Sequence, residues 1–437
     1  MSPTSTVVVG NLLVVWVAWD SAHNPAAPQG NLNGRLAIAD SKNNIWSTLA
    51  CDTDGGTNIY SMAGLFVTRV RTEILTTDTI TFTHQTSLVA KGMSAHEFSM
   101  DSTMRWATTD NGPVVVTSRA IDPPAITIGG LDSQAYLFLH TLGAEGPNTD
   151  TYTWDADYTQ IAQAGTSGGV DDTNITVNGG YRVATLTTDT VDVTSLTADR
   201  DYTQVYVALC EVPYEAGFPS APVLDAFNRA DENPLDNLTW NTGTCTPSFN
   251  NTRKLRIVSQ VVASSDGVNG GGQWWLANIP TNNAEVFCSM PTAPTTFNLG
   301  FSIVLHGSGC GPLATRNGYE AGWRKREDPS QAVVADNILL GGAGNVSNVE
   351  PFVRIWRPIT AGNKLGIQRR TKVNNCWIDE GSGWEWAGAI YFNTGSQVFS
   401  SGLLGLQAYD PVTRLDNFGG GSSPPLSHLL PILHVGA

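Results

Sequence analysis

Charge is what this sequence has least of. Lys, Arg, Asp and Glu together make up 14% of its 437 residues, and the long-chain helix formers Lys and Glu are sparse. Without them, and without long stretches at a 3.6-residue period, extended helices are excluded. Long hydrophobic runs are also missing. The longest conspicuous one, Leu12 to Trp19, stops at Asp20, too short for a bilayer-spanning helix, and reads as a buried strand. The opening Met1-Ser2-Pro3-Thr4 lacks the basic start of a secretory signal, so synthesis in a cytoplasm is expected.

Cysteine is scarce and unpaired in pattern. Cys51, Cys210, Cys245, Cys288, Cys310 and Cys376 include no C-x-x-C spacing, which argues against a zinc site. Several sit in apolar strands and read as buried thiols, with Cys245–Cys376 and Cys288–Cys310 bridges left open. The seven histidines, His23, His84, His96, His140, His306, His428 and His434, show no metal-ligand spacing. No Walker A loop is present, and no glycine fingerprint leads from a strand into a helix. Basic charge is short as well: the net charge of −15 leaves no basic face with which to displace counterions from a duplex, so nucleic acid is not an expected partner.

What is abundant is Gly, Ser, Thr, Asn and Asp, arranged as short alternating stretches between turn signals such as Asp54-Gly55-Gly56, Asn111-Gly112-Pro113 and Asn178-Gly179-Gly180. This favours an all-β chain. The first half repeats itself. Trp46-Ser47-Thr48-Leu49-Ala50 matches Tyr158-Thr159-Gln160-Ile161-Ala162, Leu75-Thr76-Thr77-Asp78-Thr79 matches Leu186-Thr187-Thr188-Asp189-Thr190, and His96-Glu97-Phe98 matches Cys210-Glu211-Val212, at an offset of about 112 residues. Leu12 to Trp19 has its counterpart in Ala135 to Leu142. Two tandem jelly-roll-like β-sandwiches are expected, at 1–118 and 119–213, with one larger symmetric sandwich as the alternative. Residues 214–222 follow as a Pro-rich, semi-rigid linker, then a larger domain at 223–418 and a tail at 419–437 that opens on the hinge-like Gly419-Gly420-Gly421-Ser422-Ser423.

The third domain opens on Val223-Leu224-Asp225-Ala226-Phe227-Asn228-Arg229-Ala230-Asp231 and closes on Arg414-Leu415-Asp416-Asn417-Phe418. Both alternate as half-buried strands do, and a pairing of the two ends in one sheet is expected. These motifs, with Trp240 between them, resemble the concanavalin A-like lectin/glucanase sandwich found in tailed-phage virion proteins. The resemblance covers the last half of the chain. It implies a structural virion protein of the minor tail, receptor-binding type: a homo-oligomer mounted on other virion proteins, engaging host cell-surface polysaccharide, with no membrane insertion. It also implies a structural Ca2+ near Asp225, Asp231 and Asp416, although the residues themselves read rather as structural aspartates neutralised by Arg229 or Arg414. No other cofactor is expected.

Tryptophan concentrates in this domain, and two Trp-rich places are candidate carbohydrate sites: Trp274-Trp275, and Trp377, Trp384 and Trp386 with Glu385. Aromatic faces accept the C–H faces of sugars while carboxylates take hydroxyls. The same tryptophans read as core or subunit contacts. Asp379, Glu380 and Glu385 do not alternate along one strand as a glycosidase pair would, because Gly381-Ser382-Gly383 interrupts them, so no catalysis is expected. A polysaccharide-degrading enzyme remains one rival reading and a capsid decoration protein the other. Near the end, Leu429, Leu430, Ile432 and Leu433 form an apolar strip that either lies back on its own domain or docks as an assembly arm.

Overall fold

The computed structural model describes residues 1–20, 36–51, 61–84, 90–168, 173–195, 198–214, 217–235, 239–240, 255–264, 271–295, 300–308, 317–324, 337–341, 352–357, 359–393, 399–408 and 412–423. Among them the chain is all-β, with no α-helix. The first repeat supplies β1 (Leu12–Asp20), β2 (Leu36–Asp40), β3 (Trp46–Cys51), β4 (Ser61–Arg69), β5 (Ile80–His84) and β6 (Lys91–Phe98). Two connecting strands follow, β7 (Met104–Thr109) and β8 (Val114–Ala120). The second repeat supplies β9 (Ile126–Gly129), β10 (Ala135–Glu145), β11 (Tyr152–Trp154), β12 (Thr159–Gln160), β13 (Ala164–Gly165), β14 (Ile175–Thr185), β15 (Thr188–Val191), β16 (Val193–Ser195) and β17 (Arg200–Pro213).

Both repeats use one pairing scheme. Strand β1 lies between β4 and β6, and β10 lies between β14 and β17. Strand β3 extends the first triplet through β4, as β12 and β13 extend the second through β14. The small pair β2–β5 corresponds to β11–β16. Each repeat encloses a core of its own. Leu13, Val15, Val17 and Trp19 point into the first, with Phe66 and Phe82; Tyr136, Phe138 and Tyr206 fill the second.

The opposite faces of the long strands pack on each other, which explains the unbroken apolar run. All nine residues of β1 are buried, because alternate side chains serve the internal core and the face between repeats. Trp16 is the centre of that face. Its Nε1 donates to the carbonyl of His140 at 2.8 Å. Its ring lies over Gly179, where an added Cβ would meet Trp16 Cδ1 at 2.6 Å. Ser61 Oγ donates to Gly143 O and Thr203 Oγ1 donates to Ser61 O, both at 2.7 Å. The division expected between residues 118 and 119 falls inside β8. That strand pairs with β17, as β7 does, so the connection belongs to the second repeat's sheet.

The third unit contains β18 (Val223–Asp225), β19 (Leu255–Val258), β20 (Val261–Ser264), β21 (Gly271–Ile279), β22 (Ala284–Thr292), β23 (Gly300–Ser308), β24 (Asn317–Arg324), β25 (Asn337–Gly341), β26 (Phe352–Trp356), β27 (Lys364–Arg370), β28 (Val373–Asp379), β29 (Trp384–Tyr391), β30 (Gly402–Ala408) and β31 (Arg414–Ser422). One sheet runs β21-β30-β23-β24-β25-β26, the other β29-β28-β27-β22-β31-β20-β19. The chain ends of this unit pair as expected, Val223 with Gly419 and Asp225 with Phe418. Gly419 to Ser422 are strand, not hinge: they pair with β22 from Phe287 back to Ala284. Glycine is required there because the Phe287 ring lies on the backbone; a Cβ on Gly419 would sit 2.2 Å from Phe287 Cζ.

Both layers of the sandwich continue into the tandem repeats. Strand β26 pairs with β3, and β29 pairs in parallel with β7, so no edge strand is left open at this seam. Lys372 Nζ and Tyr391 Oη hold Asp132 across it at 2.6 and 2.7 Å. The Pro-rich stretch is correspondingly not a spacer. Phe218 is buried on the sandwich, and the backbone N–H groups of Ser220 and Ala221 donate to the buried Glu285. Aromatic burial and a carboxylate acceptor override the stiffness that proline confers on an unpaired chain.

Candidate functional site

The structure separates the sequence-derived candidates. Trp274 is 2% exposed and fills the hollow above two glycines. An added Cβ would lie 2.0 Å from its ring at Gly307 and 2.6 Å at Gly405. Trp275 is half-buried but closed off by Trp240 and Phe418, with ring centroids at 5.3 and 6.3 Å. Trp377 is buried under Phe218, stacked at 5.2 Å with an interplanar angle of 7°. These three are core residues. They looked free in sequence because the glycines and the Phe218 that cover them are distant along the chain.

The aspartates of the end motifs each accept hydrogen bonds from protein donors. Asp225 Oδ1 accepts from Phe227 N and from Arg229 at 2.8 and 2.7 Å, and Oδ2 accepts from Trp240 Nε1 at 2.9 Å. Asp231 accepts the Ser259 N–H at 2.7 Å. Asp416 accepts from Asn417, and burial, with the Asp225 charge nearby, raises its pKa. Among the described residues no three metal-ligating side chains converge, and Asp225 is satisfied by its arginine and indole donors. The motif residues Phe227, Trp240 and Phe418 pack together beside it, so the two end motifs close the sandwich. Leu429, Leu430, Ile432 and Leu433 lie outside the described residues, as do Cys245 and Cys310. Cys210, Cys288 and Cys376 are buried free thiols.

Trp384, Glu385 and Trp386 meet a different environment. They begin β29, just after the turn from β28. Asp379 fixes that turn by accepting the N–H groups of Gly381 and Gly383 at 2.7 and 3.1 Å and the Lys364 ammonium at 2.9 Å. Burial pushes the Asp379 carboxyl up, but these donors outweigh it and hold it below the usual carboxylate range. Glu380 is forked on Arg357, whose Nη1 also reaches Asn43 O in the first repeat at 3.2 Å. Glu385 forms an ion pair with Arg71 across the seam. The three carboxylates of the turn are thus each engaged by a cation.

Around this clamp lies a cavity of about 180 Å³. The first repeat contributes Arg69 and Arg71, and β7, in the second repeat's sheet, contributes Arg105 and Trp106; Tyr214 comes from the start of the Pro-rich stretch, and Trp384, Glu385 and Trp386 from the sandwich. Trp106 meets Trp386 edge to face at 5.5 Å, and Phe218 meets Trp384 the same way at 4.8 Å, so two walls are held by rings. Arg105 lies 3.5 Å from the centroid of the Tyr214 ring and donates to the Met104 and Ser102 carbonyls at 2.7 and 3.2 Å. Burial lowers the pKa of Arg69 and of Arg105, and the Arg69 charge lowers Arg105 further. Both guanidinium groups stay charged all the same. Arg69 Nε and Trp106 Nε1 are buried donors without an acceptor among the described residues.

Sequence reading found the sandwich side of this site and missed the rest. Arg69-Val70-Arg71 closes an apolar strand, and Arg105-Trp106 opens β7; both stand out in an acidic chain, but nothing local says that they face Trp384. A larger hollow of about 550 Å³ shares Trp106 and is lined mainly by apolar residues of the two repeats, among them Leu12, Phe98, Met100 and Leu137. The polar groups that could orient a ligand are concentrated at the seam.

No protein-family model and no curated protein matches the chain. Among solved structures it is similar to the carbohydrate-binding module CBM66 from Bacillus subtilis, at 12% identity over 42% of this chain and 96% of that one, with a TM-score of 0.29. It is also similar to a Bacillus subtilis protein of unknown function with a galectin-like fold, at 11% identity over 40% of this chain and 88% of that one, again with a TM-score of 0.29. Likenesses at that TM-score carry no argument about this chain.

Proposed function

We propose that this chain is a non-enzymatic virion protein of the minor tail type, which binds a host cell-surface saccharide in the cleft where its sandwich meets its tandem repeats. The binding part of this reading is carried by one observation. Partly buried Trp384 and Trp386 lie beside Tyr214, Arg69, Arg71 and Arg105 around a preformed cavity, so aromatic surface and orienting polar groups converge there and not at the fully buried Trp274 or Trp377. The cavity is smaller than the ~300–1,000 Å³ of sites that enclose a drug-sized ligand, which suits one sugar unit of a longer polymer. The engaged state of Asp379, Glu380 and Glu385 supports binding over hydrolysis, since a glycosidase needs one carboxyl free to give a proton and another to attack. The virion part is supported by the end motifs and the acidic composition. Repeated copies in an oligomer would raise a weak single-site affinity.

The test is binding of the full-length protein to bacterial cell-wall polysaccharide, beside Trp384→Ala and Trp274→Ala, with an assay for released sugar. Binding lost in Trp384→Ala, with no sugar released, is expected. Trp274→Ala destabilises the fold instead, so its melting temperature is read first. Sugar release would support the enzyme reading. No binding by any form, with hundreds of copies per virion, would support capsid decoration.

A further inference from the structure

We infer that the saccharide taken by the seam cleft is anionic, its charged group held by Arg69 and Arg105 while a ring packs against Trp384. This rests on the proposed glycan reading and adds the charge class of the ligand.

Three guanidinium groups line the cavity against one carboxylate, in a chain whose net charge is −15. Glu385 is already opposite Arg71. Arg69 and Arg105 form no ion pair with a carboxylate among the described residues; Arg69 donates to the Ser102 carbonyl and Arg105 to the Ser102 and Met104 carbonyls, with the Tyr214 side chain as its other polar neighbour. Two neighbouring guanidinium groups, each partly desolvated, repel one another, and an anion between them would offset that cost. Two unpartnered groups on the lining residues fit the same charge class. Arg69 Nε and Trp106 Nε1 are both donors and call for acceptor atoms. A sugar acid supplies acceptors and negative charge together, and its carboxylate would match a guanidinium fork. The Glu385–Arg71 pair shows what a carboxylate finds at this place. Tyr214 would hold Arg105 in position from the opposite side by its ring contact at 3.5 Å.

A carboxylate sugar and a phosphate-linked sugar polymer share this chemistry, and the test separates them. Full-length protein is titrated calorimetrically with oligogalacturonate, with a glucosylated poly(glycerol phosphate) and with a neutral galacto-oligosaccharide, at low and at 0.5 M salt. Arg69→Gln, Arg105→Gln, Arg105→Lys and Trp384→Ala are run beside it. Melting temperatures confirm folding, which removal of a partly buried cation without an acid partner should leave intact. One anionic polymer is expected to bind, with the neutral sugar weaker by about tenfold or more. Each Arg→Gln change should weaken it by about tenfold, Arg105→Lys less, and high salt should weaken it too. Neutral sugar bound as tightly as the anionic polymers, lost in Trp384→Ala but indifferent to Arg69→Gln and Arg105→Gln, would overturn the charge inference and leave the glycan reading standing. Binding of no sugar at all would overturn both.

Discussion

Replacing Trp16 by alanine asks whether the two repeats are held together by a shared face. The side chain is fully buried, it sits on Gly179 of the partner repeat, and its Nε1 donates to His140 O at 2.8 Å. Truncating a tryptophan in such a place costs about 3–5 kcal/mol, most of it lost transfer energy and an unfilled cavity. The indole hydrogen bond accounts for about 1 kcal/mol of that. At roughly 2–4 °C per kcal/mol for a unit of this size, the melting temperature should fall on the order of 10 °C. Calorimetry on the full chain would show it, with Trp16→Phe losing less because only the hydrogen bond and the outer ring go. A change below about 0.5 kcal/mol, the range of surface substitutions, would refute the shared face and with it the explanation for a strand buried on both sides.

The remaining predictions concern other parts of the molecule. Burial lowers the pKa of His140 to about 3 and that of His306 to about 4, from 6.5. Both rings are therefore neutral in the folded chain, while the unfolded chain takes up protons below 6.5, so their contribution is complete above that pH and is lost as pH falls toward 4 and 3. Denaturation midpoints between pH 7 and 4 should fall by less in His306→Gln than in the parent; equal slopes would contradict it. Burial raises the thiols of Cys210, Cys288 and Cys376 well above their usual range. Peptide mapping after native iodoacetamide treatment should find all three unlabelled, and labelling at any of them would mean its strand opens readily. Gly366→Ala places a methyl 2.2 Å from Phe218 Cζ, which should destabilise by about 1–3 kcal/mol and weaken ligand binding by unseating the ring that props Trp384. Unchanged stability would mean that the Pro-rich stretch is not packed there.

Much of the fold was legible because its signals are local or repeated. The Leu12–Trp19 run read as a buried strand, the duplicated segments shared one offset, and the two motifs around Asp225 and Asp416 carried the alternation of half-buried strands that pair with each other. What failed was set by contacts across the chain. Gly419 to Ser422 has hinge composition, yet it is strand, because Phe287 covers Gly419 and leaves no room for a side chain. Trp274 and Trp377 looked like stacking platforms, and distant residues bury them: Gly307 and Gly405 make room for one, Phe218 covers the other. The seam was half legible. Trp384, Glu385 and Trp386 announced themselves as a cluster, whereas Arg69, Arg105 and Tyr214 become part of it only when β26 joins β3 and β29 joins β7.

The most direct measurement is a crystal structure of the full chain with the tightest-binding oligosaccharide from the titrations. The account predicts a sugar ring against Trp384 and an acidic group within hydrogen-bond reach of Arg69 and Arg105, in the cleft between sandwich and repeats. Saccharide bound on an outer face of the sandwich, with the seam cleft holding only solvent, would contradict it.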